Sequence, residues 1–194
     1  MKFLKPAGLP AIALLILIQG CALTPQNLHL DPTIDMTGEA VTADTLIGLS
    51  VIDARPTTKL GEVGDPNQEM VSVTLDEDFT VLLDQKVTAA LEKRGFSVVP
   101  DSGAMTRSLT VEINSLILNS EKRPLDFQTE LKSELAAVAR NSNEKYDRAY
   151  YVRTQKITAG PPYEKHSNEL VNNAVSQALS DMLNDDKLFE MLAR

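Results

Sequence analysis

Ser108-Leu109-Thr110-Val111-Glu112-Ile113-Asn114-Ser115-Leu116-Ile117-Leu118 and, after a short break, Leu125-Asp126-Phe127-Gln128-Thr129-Glu130-Leu131-Lys132-Ser133-Glu134-Leu135-Ala136-Ala137-Val138-Ala139 decide the fold. In the first run Leu109, Val111 and Ile113 alternate with Thr110, Glu112 and Asn114. In the second, Phe127, Leu131, Leu135 and Ala137 alternate with Gln128, Glu130, Lys132 and Glu134. A period of two places one set of side chains on a dry face and the other on a wet one, which predicts half-buried antiparallel strands. Asn141-Ser142-Asn143 reads as the turn into a further strand, Tyr146 to Thr158.

Working toward the carboxyl end, the spacing from Ser167 to Ala193 is helical. Leu170, Val171, Ala174, Val175, Ala178, Leu179, Met182 and Leu183 form one apolar stripe, and Asn184-Asp185-Asp186 breaks it before a short final turn. Toward the amino end, Phe96 to Val99 is a short strand. Before it Phe79, Leu82, Leu83, Val87, Ala90 and Leu91 make a second helical stripe, closed by Arg94 and by Gly95 in the position that favours a left-handed cap. The acids Asp76-Glu77-Asp78 complement the positive start of that helix. Glu69 to Leu75 alternates as a short strand, Thr57 to Gln68 reads as a loop punctuated by Gly61, Gly64 and Pro66, and Leu46 to Ala54 is a short apolar strand ended by Arg55-Pro56. The order strand, strand, helix, three or four strands, helix predicts an α+β fold of two layers. One largely antiparallel β-sheet carries two amphipathic helices packed on one face.

A chain of 194 residues, 43% hydrophobic and 24% charged, suits a single domain with a core of its own. The formal net charge of −8 repels polyanions, and no basic stripe reverses it locally, so nucleic acid is not an expected partner. There is one cysteine, Cys21, so no internal disulfide can form.

The first twenty residues have the form of an address. Lys2 and Lys5 precede an apolar run from Ala7 to Gly20, centred on Ala11 to Ile18. That is a signal-peptide pattern, too short to cross about 30 Å of hydrocarbon comfortably. Ile18-Gln19-Gly20-Cys21 resembles the lipobox of bacterial lipoproteins: an aliphatic residue at minus three, a small residue at minus one, then cysteine. The resemblance implies cleavage between Gly20 and Cys21, with an S-diacylglyceryl group and an N-acyl chain on Cys21. Three acyl chains hold a protein where one holds it only marginally. Residue 22 is alanine, where in enterobacterial-type lipoproteins an aspartate retains the protein at the inner membrane. The implied location is therefore the outer membrane, facing the periplasm. The expected organisation is a lipoprotein signal peptide at 1–20, a lipidated amino terminus and extended tether at 21–45, and one periplasmic α+β domain at 46–194. The alternative for the tether is that Leu28 to Ile34 adds a strand to the edge of the domain.

The lipobox, Val51-Ile52-Asp53-Ala54-Arg55-Pro56, Leu91-Glu92-Lys93-Arg94-Gly95-Phe96, and the closing Asn172-Asn173-Ala174-Val175 through Leu179, Asp181 and Leu188 together resemble the YajG-type family of bacterial lipoproteins. The resemblance spans nearly the whole mature chain in order. It implies an outer-membrane lipoprotein and carries no catalytic residues across.

A scan for chemistry returns little. His29 and His166 stand apart from any second metal ligand, and no nucleophile elbow or phosphate-cradling loop is present. Asp53 with Arg55 reads as a structural ion pair, and Asp76-Glu77-Asp78 as helix capping in preference to a calcium loop. Tyr150 and Tyr151 are adjacent on a strand and must face opposite ways, so one of them is a candidate surface contact. The expectation is a non-enzymatic envelope protein with no cofactor. Its partners would be the membrane, through the lipid anchor, and an envelope protein or other envelope component. The alternatives are a carrier of an apolar ligand held between sheet and helices, acting as a transport or assembly auxiliary, and an enzyme without a recognisable motif.

Overall fold

A computed structural model describes residues 23–37 and 45–194. The proposed leader, Gly20, Cys21, Ala22 and the stretch 38–44 lie outside the described residues. The strands are β1 (Gln26–Leu28), β2 (Thr45–Asp53), β3 (Lys59–Asp65), β4 (Glu69–Leu75), β5 (Phe96–Pro100), β6 (Ser108–Lys122), β7 (Phe127–Arg140) and β8 (Lys145–Thr158). The helices are α1 (Phe79–Lys93), α2 (Glu164–Leu183) and α3 (Asp186–Ala193).

The long strand β6 organises the sheet. One of its edges pairs antiparallel with β7 along the whole length, and β8 continues that meander. Its other edge is shared. β2 runs parallel to residues 108–113 and β3 runs parallel to residues 118–119. From there the sheet branches, to β5 beyond β2 and to β4 and then β1 beyond β3. Four of the pairings are parallel and three antiparallel. The expectation of a largely antiparallel sheet with two helices on one face is therefore corrected: among the described residues the sheet is mixed, eight-stranded and curled into a half-barrel, and there are three helices. The apolar, poorly alternating run of β2 is what a strand flanked by parallel neighbours on both edges requires.

The core follows from periodicity. Along β6 the buried positions are Leu109, Val111 and Ile113, then Leu116 and Leu118. The phase slips from odd to even because a bulge at Asn114 leaves one residue of β6 unpaired. The α2 stripe from Leu170 to Leu183 is buried as its spacing predicts, and α2 packs on β7, β8 and β1, so it spans the open side of the half-barrel.

β3 occupies part of the stretch expected to be a loop. Its glycines permit a close backbone approach: a Cβ on Gly61 would lie 1.9 Å from the Leu118 carbonyl oxygen, and Gly64 has φ +135°. Asp78 sits at the start of α1 but its side chain makes no capping hydrogen bond, which corrects the capping expectation for the acidic triplet. Asp76 instead accepts hydrogen bonds from Asn27 Nδ2 at 2.7 Å and pairs with His29 Nδ1 at 2.8 Å.

Residues 29–37 form an extended strap on α2. The backbone N–H groups of Asp31, Thr33, Asp35 and Thr37 donate to Asn172 Oδ1, Ser176 Oγ, Ser180 Oγ and Asn184 Oδ1 at 2.6–3.0 Å. Asn172 and Asn184 donate back to the carbonyls of His29 and Asp35. Two residues of extended chain advance about 6.7 Å and four of helix about 6.0 Å, so a strand period of two stays in step with a helix period of four. The alternate residues Leu30 and Pro32 are buried, and Lys86 of α1 reaches Asp31 at 2.7 Å.

Candidate functional site

Tyr150 and Tyr151 point to opposite sides of β8. Tyr151 is 71% exposed on the outer face of the sheet, opposite Glu134 of β7. Tyr150 is buried, so it is not a surface contact. Its hydroxyl donates to Asp185 Oδ2 at 2.7 Å, and the same oxygen accepts from Tyr146 OH at 2.7 Å and from Arg148 at 2.6 Å. The other carboxylate oxygen caps α3 by accepting from the Lys187 N–H at 3.1 Å. Three side chains spaced by two along β8 thus converge on the residue that breaks α2 from α3, and they fasten α3 to the sheet.

Burial opposes the charge on Asp185, yet the hydrogen bonds from Tyr150 and Tyr146 and the nearby Arg148 outweigh it and hold the carboxyl below its usual range. Burial first, and then the Asp185 carboxylate, push the Tyr150 phenol above its ordinary value. An open groove of about 700 Å³ lies beside this cluster, bordered by Arg148, Tyr151, Asp181, Asn184 and Lys187. The convergence of Tyr146, Arg148 and Tyr150 on Asp185 escaped sequence reading, since Asn184-Asp185-Asp186 registered only as a break.

The remaining sequence candidates are dispersed. Arg55 pairs bidentately with Asp53, at 2.7 and 2.8 Å, and lies over the Phe79 ring. His29 is exposed on Asp76, and His166 stands beside Tyr163. Cys21 and Gly20 lie outside the described residues.

A second hollow, of about 290 Å³, lies at the end of the domain where the described chain starts. Leu23, Thr24 and Gln26 line it with Asp65, Gln68, Pro161 and Tyr163. Gln26 is buried there and donates to the Pro162 carbonyl at 2.9 Å. Among the described residues no helix is long and apolar enough to cross a membrane.

A family model described as "Uncharacterized lipoprotein" matches residues 32–193. The chain is similar to the uncharacterized lipoprotein YajG of Escherichia coli strain K12, with 24% identity over 188 residues that cover 94% of each chain. Its fold is similar to the crystal structure of protein XCC0632 from Xanthomonas campestris, with a TM-score of 0.53, 12% identity, and coverage of 89% of this chain and 96% of that one.

Proposed function

This chain belongs to a family of uncharacterized lipoproteins, and from that premise we propose that it is cleaved before Cys21, acylated there, and held at the outer membrane facing the periplasm as a binding or accessory protein. The observation that carries the reading is Ile18-Gln19-Gly20-Cys21 at the end of a short apolar run preceded by Lys2 and Lys5. Ala22 supports export beyond the inner membrane.

Binding in preference to catalysis is supported by the state of the converging polar groups. Tyr146 and Tyr150 spend their hydroxyl protons on Asp185, and one N–H of Arg148 joins them there to hold the fold. The carrier alternative needs a cavity of about 300 Å³ or more between sheet and helices. The full burial of Leu83, Leu91, Leu131, Leu135, Leu179 and Met182 between sheet and helices speaks against it.

The test is mass spectrometry of the mature amino terminus with fractionation of wild type and Cys21→Ser. The expected result is an acylated residue 21 and a wild type that sediments with outer membranes, with the serine variant released. A serine variant that stays with the membrane would sink the reading. Crosslinking in intact cells should recover a reproducible envelope partner, and recovery of none would remove the accessory role.

A further inference from the structure

The direction of every long element fixes one end of the domain. β6 and β8 run toward it, while β7, α2 and the strap run away from it. That end collects Leu23 to Gln26, the β3–β4 turn, the β6–β7 turn, the end of β8 and the start of α2. Lys122 pairs with Asp65, Phe127 lies opposite Thr158, and Gln26 bonds to Pro162. Leu23 and Tyr163 line the same hollow.

Apolar side chains project from this end. Arg123-Pro124-Leu125-Asp126 is a tight turn closed by the Arg123 N–H to the Asp126 carbonyl at 2.8 Å, and it presents Leu125 at 92% exposure. Tyr163 is 62% exposed and Ile157 is 57% exposed. Lys122, Arg123 and Lys156 are paired here with Asp65, Asp126 and Glu169, while Lys165 and the acids Glu69, Glu121 and Glu164 are exposed around the rim. The end therefore offers a lipid surface the apolar side chains of Leu125 and Tyr163 within a charged rim.

We infer that this end of the domain rests on the lipid surface, with Leu125 and Tyr163 seated at head-group depth. The inference rests on the acylation of Cys21 proposed above. Two residues of chain reach at most about 7 Å, so a lipid on residue 21 keeps Leu23 at the bilayer boundary. Docking begins at once in β1 and the strap, leaving no slack to lift the domain clear. A leucine at the tip of a turn and an amphipathic tyrosine suit that depth, where one side is apolar and the other wet. The opposite end, with Asn143, stands on the order of 45 Å away, since β8 alone has 14 residues.

The acylated protein is reconstituted in phosphatidylethanolamine–phosphatidylglycerol vesicles containing brominated lipid. Single cysteines at Leu125, Tyr163 or Asn143 carry a bimane fluorophore. Cys21 as a thioether does not react with the label, and a turn position as exposed as Leu125 tolerates the change. The expected result is about twofold quenching at 125 and 163 and none at 143. Acylated protein with no quenching at 125 and 163, as when a protein partner or second copy covers this end, overturns this inference alone. Equal quenching at all three sites also overturns it. A residue 21 without acyl mass overturns the anchoring reading and this inference together.

Discussion

Replacing Asp185 with asparagine confronts three donors with an atom that can no longer serve them. In the wild type Oδ2 accepts from Tyr146, Arg148 and Tyr150 while Oδ1 caps α3. The amide has one oxygen, so either orientation turns an NH2 toward donors. Arg148 is about half exposed and water replaces its partner. The Tyr150 hydroxyl is buried, and losing a bond to a charged acceptor there costs about 2 kcal/mol. With about 1 kcal/mol for the part-buried Tyr146, the total is about 3 kcal/mol. For a slope of about 2 kcal/mol/M, the urea midpoint at neutral pH should fall by about 1.5 M. The sign with pH is fixed by the depressed carboxyl. A group whose folded pKa lies below its unfolded value stabilises above the unfolded value, near about 4, and loses that contribution as pH falls through the folded one. The gap between wild type and Asp185→Asn should therefore narrow below about pH 4. A midpoint within about 0.3 M of wild type at neutral pH, or a gap that widens in acid, would refute the reasoning.

Gly61→Ala places a methyl 1.9 Å from the Leu118 carbonyl oxygen, so β3 must part from β6, and thermal unfolding should show a loss of more than about 2 kcal/mol. Ser176→Ala with Ser180→Ala removes two acceptors from the strap, and hydrogen exchange at the N–H groups of Thr33 and Asp35 should accelerate while β6 and β7 keep their protection. Unchanged exchange at those two amides would mean that the apolar side of the strap alone holds it.

What could be read from the sequence was whatever neighbouring residues specify. The β6–β7–β8 meander is a run of hairpins, and alternation with short turns is enough to reveal it. The α1 and α2 stripes match their buried faces, whereas the bulge of β6 at Asn114 escaped the plain alternation read over Ser108 to Leu118. The parallel pairings of β2 and β3 with β6 join strands far apart in the chain, and nothing local encodes their direction. β3 was concealed by glycines whose purpose, a close approach to Leu118, exists only once β6 is beside them. Asn172, Ser176, Ser180 and Asn184 follow one another at a spacing of four on α2, and that spacing acquires its meaning only once the extended chain lies against it. Asp185 looked like a helix break because its three donors arrive from another strand.

The strap has a mechanical consequence. With residue 21 acylated as proposed, a pull on it would act along the long axis of the domain, opposite to the direction in which residues 26–37 run. The pairing of β1 with β4 and the four rungs on α2 then slide under load together and do not peel one by one. Shear distributes tension over every bond, so traction from the bilayer meets its stiffest resistance along the axis on which a tethered protein is tugged.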